Sequence, residues 1–139
     1  MKYLLDTNAW IKLLNQANST VKKKFANTSP IDIVLCSIVK LELFYGAYKS
    51  TRKSANLELL NVLFLQFKSL HFNDEAAAIC GNIRAQLHTL GKPVGPHDLQ
   101  IAGIALANNL TLITHNTSEF SRITGLRIED WELEAPATP

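Results

Sequence analysis

The chain opens on a short apolar run, Tyr3-Leu4-Leu5, that stops at Asp6. A run of this kind bounded by a polar residue is the pattern of a buried strand. Thr7 or Asn8 can then cap a helix beginning near Ala9, with Trp10, Ile11, Leu13 and Leu14 as its apolar side. A second short helix is predicted over residues 21–27, a loop at Thr28-Ser29-Pro30, and a buried strand over residues 31–36. Ser37 is expected to cap a third helix carrying Ile38, Val39, Leu41, Leu43, Phe44 and Tyr45, which ends near Ser50. Residues 52–68 read as a helix with two apolar stripes, one of Leu57, Leu60, Phe64 and Phe67, the other of Leu59, Val62 and Leu63. One stripe serves a monomer's core, so the pair predicts a homodimer, with Leu60, Phe64 and Phe67 as its candidate surface.

The pattern continues with a strand near residues 69–72 and a helix over residues 74–90 closed by Gly91. Pro93, Gly95 and Pro96 punctuate a loop before a helix over residues 97–109. A strand over residues 111–114, a loop with a helical turn over residues 116–121 and a last strand over residues 127–129 complete the pattern. Strands separated by helices require crossover connections, so the expected fold class is α/β, with a central, mainly parallel sheet flanked by helices on both faces. Ligand sites in such sheets form at the carboxyl ends of the strands. A chain of 139 residues fits one domain, expected over residues 1–131, with a disordered tail over residues 132–139.

Composition narrows the class without naming a function. At 47% hydrophobic and 19% charged residues the chain is ordinary globular material, and no stretch approaches the roughly 18 apolar residues that span a bilayer. The start of the chain has no signal-peptide pattern, because Asp6 interrupts its apolar stretch. Cys36 and Cys80 both lie in apolar surroundings and form no CxxC pair, so they read as buried free thiols of a reducing cytoplasm. A net charge of +2 demands no polyanionic partner, although Lys22-Lys23-Lys24 and the group Lys49, Arg52 and Lys53 concentrate positive charge locally. Such runs serve equally well as solvated faces.

The acidic residues are more informative. Asp6 projects from a strand end, where it can be a ligand or simply a helix cap. Glu42 has Ile38, Val39, Tyr45 and Gly46 as its helical neighbours, none of which can pair with its charge. Burying it costs several kcal/mol, on the order of the usual penalty for an unpaired charge, unless a base, a donor or a metal arrives from elsewhere in the fold. Asp98 opens a helix, where a negative charge is stabilised by the dipole, yet it shares a face with the apolar Ile101, Ala102 and Ala105. Three inward carboxylates repel one another, and a hard divalent cation such as Mg²⁺ or Mn²⁺ relieves that repulsion. The histidines at 71, 88, 97 and 115 show no pair at zinc-motif spacing.

LLDTNAWI, SIVKLELFYGA, GPHDLQIAGIALANNLTLITHN and SEFSRITGLRIEDW, in this order and at these separations, together resemble the PIN-domain ribonucleases, and more closely the VapC-type toxins of bacterial toxin–antitoxin pairs. The resemblance runs to Trp131 and implies that Asp6, Glu42 and Asp98 bind Mg²⁺ or Mn²⁺ for hydrolysis of RNA. Thr7, Asn8, Ser37 and Thr114 are candidates to support the acids or metal waters. Many relatives in this family place an aspartate where Asn116 stands, so the fourth acid is either absent or moved to Glu119, and Asn116 and Glu119 also have capping-box spacing. The resemblance further implies a VapB-type antitoxin partner and, from the GPHDLQIAG and TGLRIEDW subgroup, initiator tRNA as substrate. Two rival readings stand beside it: an aspartate phosphotransferase, which would want an acid where Asn8 stands, and a PIN-like module that binds RNA or protein without cutting.

Overall fold

In the computed structural model, which describes residues 1–15 and 19–133, five strands form one sheet in the order β3-β2-β1-β4-β5, and every neighbouring pair is parallel. The strands are β1 (Tyr3–Leu5), β2 (Ile33–Cys36), β3 (Lys68–Leu70), β4 (Thr111–Ile113) and β5 (Ile128–Glu129). The helices are α1 (Thr7–Asn15), α2 (Thr20–Ala26), α3 (Ser37–Tyr48), α4 (Lys53–Phe64), α5 (Asp74–Leu90), α6 (Pro96–Ala107) and the short α7 (Thr117–Phe120). From β1 the chain winds outward through β2 to β3, then returns to place β4 on the other side of β1. Right-handed crossovers in a parallel sheet send connections on the two sides of such a reversal to opposite faces. The point of reversal, between β1 and β4, is where an open α/β sheet leaves a crevice at its carboxyl edge.

The three central strands are almost wholly withdrawn from solvent. Leu4, Leu5, Val34, Leu35, Cys36 and Leu112 are 0% exposed. Both cysteines are free and buried, and burial pushes the Cys36 thiol up to about 11. Cys80 donates through its Sγ to the carbonyl of Leu99, joining α5 to α6. Among the described residues no helix is long and apolar enough to cross a membrane.

Several boundaries differ from expectation for physical reasons. Pro30–Asp32 forms a 3₁₀ turn before β2, which leaves Ile31 outside the sheet and largely exposed. Ser37 is the first residue of α3 and does not cap it; its hydroxyl accepts from Phe72 N and reaches the carbonyl of Leu70, pinning the end of β3. Helix α4 stops at Phe64 and β3 begins at Lys68, because Phe67 turns inward to meet Trp10 and Phe25 in an edge-to-face cluster. Leu60 is buried and Phe64 packs on Phe44, so the stripe chosen as a dimer surface faces the core. The outward positions are Leu59, Val62 and, beyond the helix end, Leu65. Of the expected tail, Glu132 is tied to Lys12, and residues 134–139 lie outside the described residues.

At Gly103 the close approach of α6 is to α5. A Cβ at Gly103 would fall inside contact distance of Cys80 Sγ and press on the carbonyl of Ala76. Gly103→Ala is therefore expected to force α5 and α6 apart and to lower unfolding free energy by about 1–3 kcal/mol, the usual cost of overpacking. Urea denaturation measures this, and an unchanged midpoint would show that Cys80 yields without cost.

Candidate active site

Asp6 follows the last residue of β1 and its own side chain caps α1. Its Oδ1 accepts from Ala9 N at 2.9 Å while its main-chain carbonyl accepts from Trp10 N. The cap and the site position are thus one residue. Its backbone N–H continues the sheet to Ile113, so Asp6 stands directly beside the end of β4. There Thr114, 1% exposed, donates its hydroxyl to the Asp6 carboxylate and accepts from Asn116 N. Burial raises the Asp6 carboxyl above its ordinary range against these donors, and the charges of Glu42 and Glu132 add to the rise.

Glu42 comes from the middle of α3, and the partner missing from its own helix is supplied by α1. Thr7 Oγ1 donates to Glu42 Oε1 at 2.7 Å. The other oxygen, Oε2, lies 3.6 Å from Nδ1 of His97. Asp98 sits in the first turn of α6, just past the Gly95-Pro96 helix start. Its carboxyl is pushed up to about 7 by burial, then by Glu119, which also accepts its hydrogen bond, then by Asp6 and Glu42. Asp6, Glu42, Asp98 and Glu119 therefore stand near enough to act on one another by charge at the carboxyl edge of β1 and β4, with Asp98 and Glu119 in direct contact. Among the described residues no three of them bring ligand atoms within 4.8 Å of one another.

Glu119 is held from several directions. Gly95 N donates to its Oε1 at 2.8 Å and Asn116 Nδ2 to its Oε2. Burial pushes Glu119 up, but these donors, the Asp98 carboxyl and the charge of Arg122 outweigh it and hold Glu119 below the usual range. No side-chain cap forms from Asn116 to the backbone of α7, so the capping-box spacing serves the carboxylate instead. Asn8 is exposed and lines a neighbouring cavity with His115 and Asn116. Ser37 is engaged with β3 and bonds to none of the four acids. His97 beside Glu42, and Glu132 acting on Asp6, escaped the sequence reading; His97 carried one signal, its place next to Asp98 at the helix start.

Residues 3–126 match the PIN domain family. The chain is 38% identical over 131 residues to the tRNA(fMet)-specific endonuclease VapC of Shigella flexneri, covering 94% of this chain and 98% of that one. The chain belongs to the PIN-domain family and to its VapC branch. It is also 34% identical over 131 residues to ribonuclease VapC2 of Haemophilus influenzae, with the same coverage. The crystal structure of DNA-bound VapBC from Salmonella typhimurium superposes with a TM-score of 0.88 at 37% identity, covering 94% of this chain and 98% of that chain. The parallel strand order agrees with that likeness, and the acids expected from the resemblance, Asp6, Glu42 and Asp98 with Glu119 as the candidate fourth, all lie at the carboxyl edge of β1 and β4.

Carboxylate oxygens suit a hard divalent ion, and an acid raised to about 7 by burial and then by its acidic neighbours is a group short of positive charge. Between the ordinary value of 3.8 and about 7, folded Asp98 keeps a proton that the unfolded chain has released, so stability falls as pH rises through this window and levels off above it. The raised Asp6 acts in the same direction, while the lowered Glu119 acts oppositely below its ordinary 4.5. Melts in EDTA are expected to show the melting temperature dropping from about pH 5 to about pH 7, and Asp98→Asn should flatten the drop. A wild-type melting temperature that climbs over this range would overturn the assignment of repulsion.

Proposed function

We propose that this single PIN domain is a Mg²⁺- or Mn²⁺-dependent endoribonuclease toxin, held in check by a VapB-type antitoxin in the cytoplasm. The electrostatic coupling of Asp98 to Glu119, Asp6 and Glu42 at the switch point, with no lysine or arginine paired to Asp6, Glu42 or Asp98 among the described residues, carries this reading. The relatives' names supply its class: an endonuclease specific for tRNA(fMet) in Shigella flexneri, and toxin–antitoxin complexes among the solved structures. Initiator tRNA is accordingly the proposed substrate.

Asp6, Glu42 and Asp98 would hold the metal. When bound, it would lower the pKa of a coordinated water and offset charge growing on the scissile phosphate. Thr7 aims one oxygen of Glu42, and the other, 3.6 Å from His97 Nδ1, would orient the attacking water or take its proton. Thr114 and the Ala9 N–H fix the direction of the Asp6 carboxylate. Glu119, held by Gly95 and Asn116, is the supporting fourth acid. Exposed Lys and Arg side chains would bind backbone phosphates without reading sequence. The products are a 5′-phosphate and a 3′-hydroxyl.

Asp6→Asn and Asp98→Asn are each expected to cut RNA cleavage by roughly a hundredfold or more while leaving the EDTA melting temperature equal to or above wild type, since each removes a repelling charge. A variant that melts well below wild type under chelation would mark that carboxylate as structural. Sequencing the 5′ ends of RNAs produced on induction tests the substrate, and the absence of any metal-dependent cut would favour the non-cutting PIN-like module.

The antitoxin proposal follows from the same shortage of positive charge. An arginine from the partner can enter the pocket and satisfy two carboxylates with its planar fork while remaining charged. Inhibition is then expected to weaken at high Mg²⁺ or Mn²⁺ and in Glu42→Gln or Asp98→Asn. Inhibition indifferent to both would place the antitoxin's effect away from the acids. A homodimer is proposed through the outward face of Leu59, Val62 and Leu65, and light scattering that finds a monomer at tens of micromolar, on the order of assay concentrations, would count against it.

A further inference from the structure

Past the ends of β4 and β5 a second group of ligand-type side chains assembles from residues far apart in sequence. Strands β4 and β5 lie side by side, with Ile113 opposite Glu129, so the segments leaving their carboxyl ends emerge together. They bring His115 to Asp130 and Glu132, with one donor atom of each within 4.8 Å of the others. His115 Nδ1 is 2.9 Å from Asp130 Oδ2 and 3.4 Å from Glu132 Oε2.

The way the two carboxylates are held separates this group from an ordinary surface ion pair. Each has one oxygen occupied by the protein and the other presented to the same point. Asp130 Oδ1 accepts from the backbone N–H of Glu132 at 2.9 Å, leaving Oδ2 toward the imidazole. Glu132 Oε1 is paired with Lys12 Nζ, leaving Oε2 on the side of His115. The Asp130 side chain is only 8% exposed, whereas that of His115 is 62% exposed. The group therefore has a fixed wall and an open side, which gives onto a cavity of about 450 Å³ also lined by Asn8 and Asn116. Outer partners that grip one carboxylate oxygen and aim the other are the usual support of metal ligands.

We propose that His115, Asp130 and Glu132 form a binding site for a divalent transition ion of the zinc or cobalt class, additional to the four-carboxylate centre. One imidazole with two carboxylates suits borderline ions, whereas Mg²⁺ prefers oxygen donors throughout. Three protein ligands with an open side correspond to an accessible site that completes its coordination with water, in contrast to a closed structural centre. The spacing of His115 from the acids is unlike a zinc motif because strand pairing, not helical or loop repetition, brings the ligands together. Its metal-free counterpart is a simple hydrogen-bonded cluster in which His115 serves the two carboxylates directly.

Cobalt and zinc titrations of the full-length chain distinguish the two. In the Asp6→Asn/Asp98→Asn protein, which disables the four-carboxylate centre, Co²⁺ is expected to bind at one equivalent with visible d–d absorption. Zn²⁺ should shift the ring nitrogens of His115, and not those of His97, in nitrogen-resolved imidazole spectra. Adding His115→Ala should weaken Co²⁺ binding by at least about tenfold, more than the loss of an outer partner costs. Since His115 is exposed, this variant is expected to keep the wild-type circular dichroism and melting temperature. Absence of Zn²⁺ and Co²⁺ binding in the doubly neutralised protein, or binding unmoved by His115→Ala, would overturn the site whatever becomes of the nuclease assignment.

Discussion

Crowding of like charge at the carboxyl edge of β1 and β4 is the constraint around which the rest of the molecule is arranged. Asp6, Glu42, Asp98 and Glu119 arrive from four separate segments, yet none brings a lysine or arginine into direct salt-bridge contact within the described residues. The carboxylates are held by dipolar donors instead: the N–H groups of Ala9 and Gly95, the hydroxyls of Thr7 and Thr114, and the amide of Asn116. Such donors orient a carboxylate without neutralising it. The result is a pocket whose acids are held in place while, among the described residues, no lysine or arginine is salt-bridged to them.

A repulsive pocket stays in place only if its supports cannot relax. Asp98 is carried by α6, which is locked to α5 where Gly103 leaves room for Cys80 and where Cys80 bonds to the carbonyl of Leu99, the residue after Asp98. Asp6 is carried between a fully buried strand and a helix that it caps itself. Moving either acid outward would break a backbone bond or open a void in a core where side chains are close-packed. The apolar core and the site are therefore one structure: burial of β1, β2 and β4 supplies the stability that the acids subtract.

Much of this was legible in the sequence where the signal was local. The strand-Asp-helix order at Asp6, the absence of any helical partner for Glu42 and the helix start at Asp98 each follow from neighbours within four residues, and the parallel sheet follows from alternating elements. What escaped depended on distant residues. Phe67 leaves the line of α4 to meet Trp10 and Phe25, and Leu60 packs inward while Leu59 and Val62 face water. Ser37 has the composition of a cap but is claimed by β3. His97 meets Glu42, and His115 meets Asp130 and Glu132, only through strand and helix placement, so spacing rules for histidine could not find them.

Asn116 stands where the resemblance leads one to expect an aspartate, and its contacts show what the amide does there. An aspartate there would add another negative charge to a pocket where burial and neighbouring acids already raise Asp98 to about 7, and it would take away a donor. Asparagine keeps the same shape while its amide donates to Glu119 Oε2, with Thr114 Oγ1 receiving its backbone N–H. Glu119 thereby acquires two opposed grips, Asn116 on one oxygen and Gly95 on the other, that hold its carboxyl below the ordinary range despite burial. The neutral side chain and the neighbouring acid thus work as one arrangement: the amide of Asn116 fixes where the charge of Glu119 points.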